Sequence, residues 1–260
     1  MKQEALRVAP PPDKHSRLTR HIGAFKNFSR MFKGFTLAEV LITLGIIGVV
    51  AAMTMPALIA NHRKSVVETR LAKFYSVMNQ AITQSEVENG DKSTWTIDPS
   101  VDNDNNDVSD TLEWYNKYLA KYLSTLKVEK TSDNYVAVYF PDGSLVLIRR
   151  GGSTYNFFPD AKYFNTVTKD DIFNQQNDPN NKLYGRNCFL FAFNPNTDDK
   201  KWIHHKNKGL EPYKWLLTEN ADTDWKNTSY GCSSSGSKIY CTALIQMNGW
   251  KIPKDYPLKF

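Results

Sequence analysis

Hydrophobic and polar positions divide the chain into unlike parts. From Val40 to Ala60 no residue is charged, an apolar run of 21 residues. As a helix that run is long enough to cross the ~30 Å hydrocarbon core of a bilayer. After Ala60 the pattern turns amphipathic. Val67, Leu71, Phe74, Met78, Ala81 and Ser85 recur at steps of four and three, which places them on one helical face. Glu68, Ala72 and Lys73 fall off that stripe. Asn89-Gly90 reads as a stop, with glycine at the position that ends helices. The pattern predicts one helix from Phe35 to about Asn89, its first half in a membrane and its second half laid against a soluble domain. Pro56 lacks an N–H and crowds the preceding turn, so a bend or an unwound turn is expected there.

Beyond Gly90 the periods shorten. Residues 90–110 form a turn-rich linker. Thr111 to about Leu126 reads as a helix, with Leu112, Tyr115, Leu119, Tyr122, Leu123 and Leu126 sharing a face. Tyr135–Phe140 and Ser144–Ile148 flank Pro141-Asp142-Gly143, a strong antiparallel hairpin signal. Thr154 to Asn187 is aromatic and Asn-rich without a firm period, with Tyr163-Phe164 and Leu183-Tyr184 as points that pin loops to a core. Asn187 to Phe193 reads as a strand ended by Asn194-Pro195. Asp198–Lys208 reads as polar and exposed, Glu211–Leu217 as a short turn or helix, and 221–238 as a Ser/Gly/Asp loop. Tyr240–Met247 suits either a strand, by its β-branching, or a short helix stopped by Asn248-Gly249. The Asn248-Gly249 stop favours the helix. Trp250 and Tyr256 are expected to hold an extended or looped tail.

Charge changes the picture in one respect. The 260 residues carry a formal charge of +6. All of that excess lies before Gly34, where Lys2, Arg7, Lys14, Arg17, Arg20, Lys26, Arg30 and Lys33 face only Glu4 and Asp13. Residues 34–260 balance, with 25 basic and 25 acidic side chains. A basic segment ahead of an apolar run fits cytoplasmic retention, and the balanced remainder offers no electrostatic case for direct nucleic-acid binding. Residues 1–33 read as processing sequence outside the fold, with translation from Met1 or from Met31 left open.

Candidate chemistry is sparse. Of three cysteines, Cys232 and Cys241 lie nine apart across Gly/Ser-rich sequence. In an oxidising compartment they suit a disulfide, with Cys188 a buried thiol; a pair involving Cys188, or no bridge, stays open. Asp102, Asp104, Asn106, Asp110 and Glu113 stand at positions 1, 3, 5, 9 and 12 of a calcium-loop register. The sixth position, Asp107, is not the glycine such a turn needs, and the eighth is Ser109. The same residues read as a solvated loop ending in a helix cap, Asp110 with Glu113 three later. Calcium is therefore a candidate on spacing alone, and no other cofactor is expected. Adjacent His204 and His205 have no ligands at metal spacing, so no zinc site is expected. With no Gly-x-Ser-x-Gly elbow and no phosphate loop, the chain does not read as an enzyme.

One carboxylate stands out, because Glu39 sits at the edge of the apolar run, where an unpaired charge is costly. The residues around it, Lys33-Gly34-Phe35-Thr36-Leu37-Ala38-Glu39, followed by an apolar helix with Pro56, resemble the prepilin signature of type IV pilins and type II secretion pseudopilins. The resemblance implies cleavage between Gly34 and Phe35 by a membrane-embedded prepilin peptidase, and methylation of the new amine of Phe35. It implies that Glu39 matches subunits during filament assembly and that Pro56 marks a helix break or kink. The segment Asp178-Pro-Asn-Asn-Lys-Leu-Tyr-Gly-Arg-Asn-Cys-Phe is similar to a pseudopilin head segment that leads into a strand, with one extra residue and Asn187 in place of an aspartate. The tail from Cys241 to Pro257 is similar to that of many prepilin-type proteins.

The expected fold is α+β, a pilin-like lollipop with a long helix packed on a small head with an antiparallel sheet. Its parts would be a leader at 1–34, a transmembrane half-helix at 35–60, an amphipathic half at 61–89 and an extracytoplasmic head at 90–260. The implied function is that of a structural subunit of a type II secretion pseudopilus. The alternatives are a major or minor type IV pilin in adhesion, motility or DNA uptake, and an anchored binding module that does not polymerise. The implied partners are the prepilin peptidase, other pilin or pseudopilin subunits in a homo- or hetero-oligomeric filament, an inner-membrane assembly platform and the lipid bilayer. The implied location is the bacterial inner membrane, single-pass, with the leader in the cytoplasm and the head in the periplasm, and then the filament.

Overall fold

The computed structural model describes residues 34–98, 100, 109–166, 172, 178–180, 182–215, 225–226 and 228–260. The chain divides into two units, Met1–Val49 and Val50–Phe260. Helix α1 runs from Leu37 to Asn89. In the first unit its apolar side chains, Leu41, Ile42, Leu44, Ile46 and Ile47 among them, are exposed. Among the described residues α1 is the one helix long and apolar enough to cross a membrane. It continues through Pro56 as α-helix, so no turn is unwound there. Proline removes one donor from the ladder, and the turns on either side keep theirs. The helix ends as the sequence predicts, with Gly90 at φ +79° and its N–H on the carbonyl of Glu86, a left-handed conformation that glycine adopts without a Cβ penalty.

The second unit is built on a six-stranded antiparallel sheet in simple meander order. Its strands are β1 (Lys127–Lys130), β2 (Val136–Tyr139), β3 (Leu145–Arg149), β4 (Thr154–Phe158), β5 (Phe189–Ala192) and β6 (Glu211–Pro212). Both faces are buried. On one face Val138, Val146, Ile148, Phe157, Phe189 and Phe191 join a core whose other wall is α1. Every member of the predicted stripe, from Val67 to Ser85, is buried there. Phe74 is the centre of this contact, stacked on Phe157 at 4.2 Å and edge-on to Phe191 at 5.1 Å. On the other face Leu145, Leu147, Phe158 and Leu190 pack under Leu183, Tyr184, Trp225 and Tyr240. A sheet covered on both sides shows runs of apolar residues instead of alternation.

Several expectations are corrected. The helix expected over 111–126 is shorter. α2 is Thr111–Tyr118, followed by a 3₁₀ turn at Ala120–Tyr122 and then β1. Leu126, placed on the helical face by its spacing, is exposed, and its N–H bonds to the carbonyl of Tyr139 at the start of the β1–β2 ladder. The charged Lys-Val-Glu-Lys sequence of β1 suits an edge strand. β4 falls in the stretch without a period, because both of its faces are covered. Glu211–Pro212 pairs with β5 rather than forming a turn or helix. The turn from β3 to β4 needs Gly152, φ +89°, since a Cβ there would lie 2.4 Å from the indole of Trp114. The segment Tyr240–Met247 is helical from Cys241, here α3 (Cys241–Met247).

Glu68, off the stripe, is nonetheless buried. It accepts the Ile252 N–H at 2.9 Å and the Lys251 ammonium at 3.1 Å, tying the C-terminal tail to α1. Trp250 packs on Tyr75 at 5.0 Å, and the Tyr256 hydroxyl donates to the carbonyl of Gly185.

His205 also departs from expectation. It is fully buried, not exposed, with Nε2 accepting the Lys214 N–H at 3.2 Å. Burial, with the His204 ring 5.5 Å away, pushes its pKa down to about 3. A folded-state value below the ordinary 6.5 means that the unfolded chain takes up the proton more readily. The second unit should therefore lose stability as pH falls below about 6.5 and continue to do so towards about 3. Denaturation midpoints of His205→Gln against pH should show a flatter acid limb than wild type; an identical slope would remove His205 as the cause.

Candidate assembly site

Gly34, Phe35 and Thr36 precede α1 outside any helix or strand, and Phe35 is 87% exposed. Thr36 is the N-cap. Its Oγ1 accepts the Glu39 N–H at 3.2 Å, and the Glu39 carboxylate accepts the Thr36 N–H at 2.8 Å and the Thr36 hydroxyl at 2.8 Å. This is a reciprocal capping box, which satisfies two of the backbone donors a helix start leaves open. It also sets the anionic group against the positive end of the helix dipole. The signal for this cap is in the sequence itself, Thr-x-x-Glu before an apolar run. Cleavage after Gly34 would leave the new amine one residue from Thr36, so Glu39 and that amine would belong to the same first turn of one chain.

The other candidates are scattered. Pro56 lies inside α1, far along the helix from Glu39. Cys232 and Cys241 form a disulfide, Cα–Cα 4.7 Å, that joins the loop before α3 to its first residue. Cys188 is buried beside the Asn156 amide, and burial pushes its thiol up to about 12, so it is not a thiolate nucleophile at neutral pH. Asp102, Asp104 and Asn106 lie outside the described residues. Asp110 caps α2 by accepting the Glu113 N–H at 3.0 Å, and the Glu113 side chain sits in the first turn. Among the described residues no three His, Cys, Asp or Glu side chains converge as a metal site.

A family model described as a prokaryotic N-terminal methylation motif matches residues 29–55. A second, described as a family of unknown function (DUF6613), matches residues 57–260. The chain belongs to the DUF6613 family. No curated protein and no solved structure matches it. This DUF6613 member carries a prepilin-type N-terminal segment followed by one apolar helix, and is a pilin-like, membrane-anchored protein. The two matches meet at Pro56, the residue between them.

Proposed function

We propose that the chain is a structural filament subunit, made as a prepilin, cut between Gly34 and Phe35, methylated on Phe35 and assembled into a type II secretion pseudopilus. The observation that carries this reading is the methylation motif over residues 29–55, set on a helix whose apolar side chains are exposed. Exposed apolar side chains need lipid first and neighbouring helices afterwards. Domain limits follow the same reading, with a leader at 1–34, a lipid-exposed half at 35–60, an amphipathic half at 61–89 and a head at 90–260. What supports the pseudopilus reading is the resemblance of the segment from Asp178 to Phe189 to a pseudopilin head segment, which leads into β5 beside the edge strand β6. Mass spectrometry of the N-terminus from native cells tests processing. Loss of extracellular protein secretion, with surface pili intact, on deletion of the gene supports the pseudopilus; the reverse outcome assigns the chain to a pilus.

The role of Glu39 is separable from its capping bonds. Glu39→Ala removes the charge and the box together. Glu39→Gln keeps the box, because glutamine serves at that position, and removes only the charge. Both variants are expected to be cleaved and both to enter filaments poorly, since the charge is what pairs with the amine of Phe35 on a neighbouring subunit. Normal incorporation of Glu39→Gln, scored by crosslinking through cysteines placed in residues 35–60, would refute the charge pairing.

A further inference from the structure

In the second unit a cleft of about 380 Å³ opens where α1 leaves its uncharged run. Ile59 lines it, and so do His62, Arg63, Arg70, Lys162 and Arg186, with Asp160 the sole acid among its described lining residues. The cations come from three separate segments, α1, the turn after β4 and the turn before β5. Asp160 already pairs with Lys162 at 2.7 Å. Arg63 donates to the Asn187 side-chain oxygen and lies over the Tyr163 ring at 5.0 Å. Arg70 donates to the backbone carbonyls of Pro159 and Asp142. These neutral partners hold the Arg63 and Arg70 guanidiniums in place, and the Asp160 carboxylate feels Arg70 at longer range as well as Lys162. Among the described residues no carboxylate pairs with Arg63, Arg70 or Arg186. Residues 34–260 have no net charge, so this is a local concentration of positive charge.

We propose that this cleft binds the headgroup phosphate of an anionic phospholipid while the subunit is in the membrane. Position decides in favour of lipid. At a rise of ~1.5 Å per residue, His62 and Arg63 stand only about 3–5 Å beyond Ala60 along the helix, inside the headgroup layer if the uncharged run fills the hydrocarbon core. Tyr163 beside them suits that interface, where aromatic rings with a polar tip collect. Basic residues flanking a span on its translocated side run against the usual charge bias, so their gathering into one cleft asks for an anionic ligand there.

The inference rests on the anchored stage of the proposed function. Lys162 and Arg186 are exposed, so K162Q/R186Q removes two cations with little risk to the fold, checked by an unchanged denaturation midpoint. The full chain, extracted in neutral detergent, is offered equimolar phosphatidylglycerol and phosphatidylcholine, and bound lipid is read by native mass spectrometry. Wild type should prefer phosphatidylglycerol. K162Q/R186Q should lower that preference about 25-fold, roughly fivefold per cation near an anionic surface. Equal occupancy by the two lipids, a preference untouched by the double variant, or displacement of the lipid by inorganic phosphate at equal concentration would each overturn the proposal. Retention of wild type in carbonate-washed membranes is measured in parallel. A soluble wild type sinks the anchor itself, whereas a retained wild type without lipid preference sinks only the cleft.

Discussion

Cells making Gly34→Ala are expected to accumulate the full-length precursor, with no chain beginning at Phe35. The physical case rests on what the substitution leaves alone. A Cβ built on Gly34 meets no atom within 4 Å, and the residue does not occupy the left-handed region. The Thr36–Glu39 box and α1 start beyond it and should form unchanged. Any loss of processing must therefore arise in the peptidase, whose active site has to accept the residue on the acyl side of the scissile bond. Because the leader holds the charge excess of the sequence, failure to cut leaves a cluster of cations joined to the apolar helix. Such a cluster is costly to carry into a dry helical bundle. The uncut chain should stay in the membrane and be absent from filaments. N-terminal sequencing that finds Phe35 exposed in this variant would mean that the cut lies elsewhere or has other rules.

The second large effect is on the head. Phe74→Ala is expected to destabilise the second unit by about 3–5 kcal/mol, the usual cost of deleting a buried aromatic ring. That is a large share of the 5–15 kcal/mol that typically separates folded from unfolded domains. The Phe74 ring stacks on Phe157 and meets the edges of Phe191 and Phe140, at 4.2, 5.1 and 6.1 Å. Its loss opens a cavity between helix and sheet that rigid neighbours cannot fill. Lys73, the next residue, gives the control. Its ammonium pairs with Asp142 at 2.8 Å but its side chain is 55% exposed, so Lys73→Ala should change stability by no more than ~1 kcal/mol. Guanidinium unfolding of the full chain in detergent, followed by tryptophan fluorescence, separates the two. A Phe74→Ala midpoint no lower than that of Lys73→Ala would mean that α1 is not the second wall of the core.

How legible this was from sequence depended on how many faces of an element meet the core. The stripe from Val67 to Ser85 was readable because one side of α1 stays polar, and the β2–β3 hairpin because Pro141-Asp142-Gly143 marks its turn. β4 was not readable. Thr154–Phe158 is buried on both faces, so alternation, the signal that reports a strand, is erased. Leu126 misled by falling at helical spacing after the helix had ended. Glu68 and His205 look like surface residues by type, yet both are buried, Glu68 against Ile252 far along the chain and His205 with Lys214 nine residues on. At the N-terminus, Gly34, Phe35 and Glu39 were legible as a short motif. The bond between Glu39 and Thr36 is equally local, and its signal is the Thr-x-x-Glu spacing.

The clasp between Glu68 and the C-terminal tail has a mechanical side. If the chain leaves the bilayer for a filament, as proposed, it must be hauled by whatever grips its helix. In this protein the grip is spread along the rod, through Arg63, Glu68, Arg70 and the aromatic stack around Phe74, instead of hanging on one terminal joint. Traction along α1 would load these contacts in parallel, as shear, so that none need bear the full pull while greasy side chains are drawn out of lipid.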